Sequence, residues 1–323
     1  MFLPLQNKNI DVLFHETDTR GKKQEKSSVL DVEKTCTFDE LLKCDVIDIS
    51  GEDIPDVIGM IPKKTKIVAR ILSSDTLEKY NENIRSRVDA LSLNWQMPIP
   101  KDFPKDKCHY IAGPIDTDLF KPMPNYKRAE RAKGTFFVLY VGSTLFLTKG
   151  FGDLVSSVLT ASGKNSQIKL AIYGEDPSEA ARYYMDVTKG TIRYGGFNPN
   201  RINMVSVYLE ADVFCQPLIV GQGSTSMLEA LSCGLPLLAR DCGINGYEKE
   251  LIEHEKNGYL CGDCNNLAEK MVYLSVNPDI MHEMGVYSRF KAQRDFSPQK
   301  STQKMLELIE WLGFPVAKKS INS

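Results

Sequence analysis

At 323 residues the chain exceeds one ordinary domain length, and a 42% hydrophobic share supplies material for two cores. A net charge of -2 and a pI near 6.2 leave no broad basic field, which argues against nucleic acid as the main partner. The opening residues lack a basic segment followed by an apolar core and cleavage site, and no run approaches the roughly 18 apolar residues of a membrane span, so a soluble, cytoplasmic protein is expected.

Eight cysteines are scattered without a paired framework, as fits a reducing compartment. Residues 10–14, 46–49, 66–71, 90–93 and 109–112 form short apolar runs that predict the strands of a smaller α/β domain over 1–115. His15 follows the first of these runs, and Arg70 lies within the third. Residues 116–134 hold Pro122 and Pro124, then a basic run of Lys127, Arg128, Arg131 and Lys133. That composition reads as an interdomain connection with a solvated face.

From Phe136 onward strand and helix patterns alternate: strand 136–141 with helix 151–160, strand 168–173 with helix 177–188, strand 191–194 with helix 201–210, and strand 213–216 with a helix over 225–233. Alternation of this kind predicts a parallel sheet covered by helices on both faces, a second domain over 135–296. Ligands of such sheets bind beyond the carboxyl ends of the strands. That rule places Gly142, Ser143, Lys149, Gly174, Gly196 and Phe197 on one rim with residues 217–224.

The stretch from Gln216 to Asp241 is the most informative part of that rim. Gly221, Gln222 and Gly223 form a permissive turn, Ser224 and Thr225 can cap a helix, and the first amides of that helix would face a phosphate. Glu229 follows one turn later, Gly234 is a usual left-handed stop, and 237–239 reads as the next strand. Cys261 and Cys264 form a CxxC pair at a strand end, without a second pair at zinc spacing and not at a helix opening of the redox type, which favours a structural role. The final periodic segment, 302–312, carries Met305, Leu306, Leu308, Ile309 and Leu312 on one helical face that needs an apolar surface; a C-terminal helix near 300–316 is expected to complete the first domain.

The ordered phrases Ile115-Asp-Thr-Asp-Leu-Phe-Lys-Pro122, Val141-Gly with Lys149-Gly150, Ser226 to Pro236, and Asn257-Gly-Tyr-Leu260 resemble those of the retaining glycosyltransferases of family 4. The resemblance spans about Tyr110 to Phe296 and implies a GT-B architecture: two Rossmann-like domains facing across a cleft, here with a reduced N-terminal one. It implies a hexosyl transfer from a nucleoside diphosphate sugar to a glycan, lipid or small acceptor. Lys149 would neutralise the diphosphate, Glu229 would accept from the ribose hydroxyls, and Gly196 with Phe197 would frame the base. Gly142, Ser143, Gly174, Gly221, Gln222, Gly223, Ser224 and Thr225 would complete the donor side, with His15 and Arg70 on the acceptor side.

No metal and no resident cofactor are implied, since the rim shows no carboxylate pair or His/Asp cluster. The chain departs from the family pattern at two donor positions. Gly221 stands where the family places its first glutamate, and Ser143 where it places an arginine. These departures motivate the alternative, a catalytically silent nucleotide-sugar-binding module or partner subunit of another glycosyltransferase; a sugar-nucleotide epimerase ranks last. Relatives that work on lipid-linked acceptors keep a peripheral membrane contact open as well.

Overall fold

The structure is a computed structural model that describes residues 42–101, 103–123, 134–144, 149–174, 177–197, 200–219, 224–243 and 246–316. The expected strand at 10–14, His15, the basic run at 127–133, and Gly221, Gln222 and Gly223 lie outside the described residues.

The chain divides into two compact units, one of residues 1–114 with 298–323 and one of residues 115–297. Each is a parallel-sheet α/β domain. In the first, β1 (Val46–Ser50), β2 (Lys66–Ile71), β3 (Ala90–Leu93) and β4 (Cys108–Tyr110) pair in parallel in the order β1-β2-β3-β4. Between them lie the short helices α1 (Ile54–Val57), α2 (Ser74–Glu78) and α3 (Glu82–Arg87). Strands β2 and β3 carry buried apolar residues at consecutive positions, Ile67 to Ala69 and Ala90 to Leu91, because both of their faces are covered, the pattern of a parallel sheet.

One cover comes from the far end of the chain. Helix α11 (Pro298–Trp311) buries Met305 and Leu308 against Val68, Ala90 and Ile111, with Leu306, Ile309 and Leu312 packed around them. The spacing of these residues turns one stripe of the helix toward the sheet. Ser301 fastens its first turn by donating to the Ala112 carbonyl at 2.7 Å.

The second unit contains β5 (Phe136–Val141), α4 (Phe151–Lys164), β6 (Ile168–Tyr173), α5 (Glu179–Val187), β7 (Ile192–Gly196), α6 (Arg201–Glu210), β8 (Val213–Cys215), α7 (Thr225–Ser232), β9 (Leu237–Arg240), α8 (Glu248–Leu251), β10 (Gly258–Cys261), α9 (Cys264–Val276) and α10 (Pro278–Asp295). Its six strands pair in parallel in the order β10-β9-β8-β5-β6-β7. The order reverses beside β5 and β8, which makes the rim there the topological switch point where such sheets receive ligands. Helix α4 buries Phe151, Leu154, Val155, Val158 and Ala161, a stripe at helical spacing that joins the core of β5, β6 and α9.

Two long helices, α9 and α10, were not assigned from the sequence. Helix α10 has charged residues distributed around it, so its periodicity is weak; its seat is made by a glycine pair instead. A Cβ on Gly285 would stand 2.5 Å from the Gly234 carbonyl, so the backbones of α7 and α10 meet closely there, and Gly234 itself adopts the left-handed conformation at φ +77.

The phrase from Ile115 to Pro122 packs within the second unit. Ile115 N–H donates to the Phe296 carbonyl at 2.8 Å, and the Arg289 guanidinium donates to the carbonyls of Thr117 and Phe120 and to Ser232. Arg289 thereby satisfies the free carbonyl end of α7 as well. Among the described residues no helix is long and apolar enough to cross a membrane.

Candidate functional site

Three loops of the second unit meet at the switch point. The loop after β5 carries Gly142, Ser143 and, beyond 145–148, Lys149 and Gly150; the loop after β8 runs through Pro217; and α7 begins at Thr225. Gln216 joins them. Its side chain is 1% exposed, its amide donates to the Val141 carbonyl at 3.4 Å, and its carbonyl oxygen accepts from the Ser224 hydroxyl. Ser226 also donates to the Val141 carbonyl, at 3.0 Å. One buried amide thus fixes the tip of α7 to the end of β5, a fully partnered polar group in an apolar setting.

Ser224 occupies the position before α7, but its hydroxyl does not cap the helix. It is drawn instead to Gln216 and to the Ser226 hydroxyl, 2.9 Å away. This corrects the capping role expected from the sequence, and the physical reason is the stronger, buried partner. The consequence bears on chemistry: the first-turn amides of α7 have no side-chain acceptor from Ser224 and retain their capacity to bind an anion.

Lys149 sits half-buried where α4 is about to begin. Burial lowers its ammonium below the ordinary lysine value, and among the described residues no carboxylate pairs with it. A desolvated cation outside any such ion pair is poised for an anion from outside. The next residue fixes its place. Gly150 adopts φ +70, and a Cβ there would lie 1.7 Å from the Pro217 carbonyl, so only glycine lets the lysine loop lie directly on the loop after β8.

The start of α4 is held from a second side. Asp153 pairs with Arg240 at the end of β9, and the same carboxylate helps to raise the Cys264 thiol, second to burial. Nothing in the local sequence signals this junction, since its members are distant along the chain.

Glu229 lies one turn into α7, half-buried, and accepts from the Tyr208 hydroxyl at 2.7 Å. Tyr208 is itself 0% exposed, wedged between Phe120 and Phe214. The acid is therefore oriented by a rigid phenol, a partner that no sequence spacing could reveal. Gly174 and Gly142 approach so closely that a Cβ on Gly174 would stand 2.3 Å from the Gly142 carbonyl. Tyr194 donates to the Gly174 carbonyl at 2.7 Å, which ties the loop after β6 to β7. Gly196 is left-handed at φ +98, and Phe197 after it is 61% exposed, an unusual position for a phenyl ring. Thr144, which the sequence did not single out, accepts from the Ser178 amide at 2.8 Å and anchors the approach to α5.

The structure thus brings Gly142, Ser143, Lys149, Ser224, Thr225 and Glu229 to one region of the second unit, with Gly174, Gly196 and Phe197 at the carboxyl ends of the adjoining strands. Arg70 belongs to the first unit, where it pairs with Asp48. The CxxC pair differs from expectation in one respect: Cys261 ends β10 and Cys264 opens α9, so the motif does lead into a helix. Burial, foremost, pushes the Cys261 thiol up to about 12 and raises Cys264 too, the opposite of a reactive thiolate. Among the described residues no group of three or more His, Cys, Asp or Glu is placed to hold a metal ion.

Residues 135–277 match the family described as Glycosyl transferases group 1. An uncharacterized glycosyltransferase from Haemophilus influenzae is 30% identical over 195 residues, 59% of this chain and 51% of its own length. A trehalose synthase from Pyrococcus horikoshii is 28% identical over 103 residues, 32% of this chain and 24% of its own. The chain spans about half or less of these relatives. Among solved structures, HepE from Anabaena with UDP and glucose superposes with a TM-score of 0.63 at 16% identity, covering 84% of this chain and 79% of that one. A sucrose-phosphate synthase from Thermosynechococcus elongatus gives 0.64 at 17% identity, covering 83% and 74%. These likenesses establish two parallel-sheet domains of the GT-B type.

Proposed function

We propose that the protein is a glycosyltransferase that moves a hexosyl group from a nucleoside diphosphate sugar to the hydroxyl of a glycan, lipid or small acceptor, with retention of configuration. The observation that carries this reading is the convergence of Lys149, which has no ion-pair partner among the described residues, and the tip of α7, which the Ser224 side chain leaves uncapped, at the switch point of a segment that matches glycosyl transferases group 1. HepE was solved with UDP and glucose, and a pneumococcal O-GlcNAc transferase with UDP and GlcNAc, which supports a UDP-linked donor.

In this reading the diphosphate lies against the first amides of α7 and the Lys149 ammonium. As the bond from the anomeric carbon to the diphosphate oxygen breaks, negative charge grows on the leaving group, and a fixed ammonium in a partly desolvated place stabilises it. Lysine suits this task as a compact point charge. The acceptor hydroxyl attacks the face the diphosphate leaves, its proton passing to the departing oxygen, and configuration is retained. Glu229, oriented by Tyr208, accepts from the ribose hydroxyls, while Gly196 leaves room for a base beside the Phe197 ring. No resident metal or cofactor has a part in these steps.

A silent binding module is not favoured by the similar proteins, which include a trehalose synthase and a sucrose-phosphate synthase. The test is transfer and donor hydrolysis with a panel of UDP- and GDP-sugars. Turnover of at least one donor that is lost in Lys149→Ala is the expected result; binding with no turnover across the panel overturns the enzymatic reading.

A further inference from the structure

Lys149 has no carboxylate partner among the described residues, although an acid stands close to it along the chain. Between residues 135 and 174 the sequence holds a single acid, Asp153, four positions after the lysine. Asp153 lies in the first turn of α4, where a carboxylate favours the helix end, and a lysine four positions before it is within side-chain reach. A pair formed between the two would put a counter-charge on the very cation proposed to meet the diphosphate.

Another cation holds that acid instead. Arg240, the last residue of β9, donates from Nη1 to Asp153 Oδ2, and the two side chains are 33% and 26% exposed. This hydrogen bond, foremost, holds the guanidinium above the ordinary arginine value. Strand β9 lies inside the sheet, between β8 and β10, so Arg240 presents its planar fork from a fixed base and loses little freedom in the pairing. The state of Lys149 agrees: burial is what lowers it, whereas a carboxylate alongside would act in the opposite direction. Asp241, the residue after Arg240, is taken in the same manner by Lys249 at 2.8 Å. Neither acid is left to the lysine.

We infer that Arg240 is a positioning residue for the anion site: by holding Asp153 it withholds the nearest counter-charge along the chain from Lys149 and keeps that ammonium open to a diphosphate. The role is electrostatic, and it differs from that of a clasp that only holds α4 in place. The inference rests on the reading of Lys149 as the cation that meets the diphosphate; the first of its two readouts does not.

The experiment follows two quantities on the full chain: the titration midpoint of Lys149, from the Cε signal of lysine-labelled protein assigned by its loss in Lys149→Ala, and the affinity for UDP by calorimetry. Arg240→Gln frees Asp153. The Lys149 midpoint should then rise, and UDP should bind about two- to fivefold more weakly, which is what one ion pair at a helix start is worth. Arg240→Gln/Asp153→Asn should return both quantities toward the wild type, and Arg240→Lys, which keeps a cation on Asp153, should hold both near it. Asp153→Asn alone breaks the same pair but frees no acid, so it should bind UDP more tightly than Arg240→Gln does. Melting curves report whether each variant is folded; if Arg240→Gln does not fold, Arg240→Thr, well suited to a strand, carries the same arm. An unmoved Lys149 midpoint in Arg240→Gln, or a double variant no better than that single one, overturns the inference and leaves the pair a structural clasp. Failure of the donor reading is seen separately: a wild type that does not bind UDP, with the midpoint moving as expected, removes that reading and leaves the guarding of Lys149 standing. A wild type that binds UDP with the midpoint unmoved does the reverse.

Discussion

The two units follow the same parallel-strand plan, yet the cations at their rims are treated in opposite ways. Arg70 of the first unit is paired with Asp48, whereas Lys149 of the second is half-buried with no ion-pair partner among the described residues. A cation already paired with a carboxylate has little charge left to offer; one with no ion-pair partner among the described residues, beside a helix tip, suits an anion. The lesson is that counter-charge, more than the presence of a cation, separates the two kinds of site.

The largest effect is expected from Lys149→Ala, which removes the charge that the proposed leaving group meets. The rate of transfer should fall by about 10² to 10³, the usual loss when one charge-stabilising donor is removed. Melting temperature should change little or rise, because a desolvated ammonium has been deleted. A matching variant on the other side, Asp48→Asn, leaves Arg70 without its carboxylate and should cost about 1–3 kcal/mol in a denaturant titration. The double variant Asp48→Asn/Arg70→Met should cost less than the two single changes together. Additive costs would mean that the pair is not a unit and would weaken the contrast.

The pH dependence sharpens the same comparison. Burial holds Lys149 below its unfolded value, so in the window between the two values the unfolded chain binds more protons and stability rises with pH. Donor affinity runs the other way and falls as pH rises through the folded value, because the ammonium is lost. Buried thiols that are raised, Cys261 among them, lose stability over the same window, so the Lys149 contribution is read as the difference between wild type and Lys149→Ala from neutral pH to about pH 10: that difference should move toward the wild type with rising pH in melting and away from it in UDP titrations. The smallest effect is expected from Tyr208→Phe, which deletes the hydroxyl that orients Glu229 and should weaken nucleotide binding by about 0.5–1.5 kcal/mol. Calorimetry with UDP and with the corresponding nucleobase diphosphate lacking ribose hydroxyls would locate that loss at the ribose.

Strands were the most legible part of the sequence. Residues 66–71, 90–93, 136–141 and 168–173 were predicted at the bounds found, because buried parallel strands are short apolar runs ended by turn residues. Helices α9 and α10 were missed: α10 owes its seat to Gly234 and Gly285 rather than to an apolar stripe. Lys149 and Glu229 were visible because their phrases are local. Gln216, Tyr208 and the Asp153–Arg240 pair were not, since each acts on a partner brought close only by the sheet. The cap expected at Ser224 failed for the same reason: a residue eight positions away, folded underneath, outcompeted the helix for its hydroxyl.

The central claim is that a nucleoside diphosphate is held at the switch point of the second unit by Lys149 and the tip of α7. A crystal structure of the full chain with UDP tests it most directly. The account expects the diphosphate within hydrogen-bond reach of the Lys149 ammonium and of the first amides of α7, with the ribose at Glu229. A diphosphate bound elsewhere, or one that leaves Lys149 untouched, contradicts it.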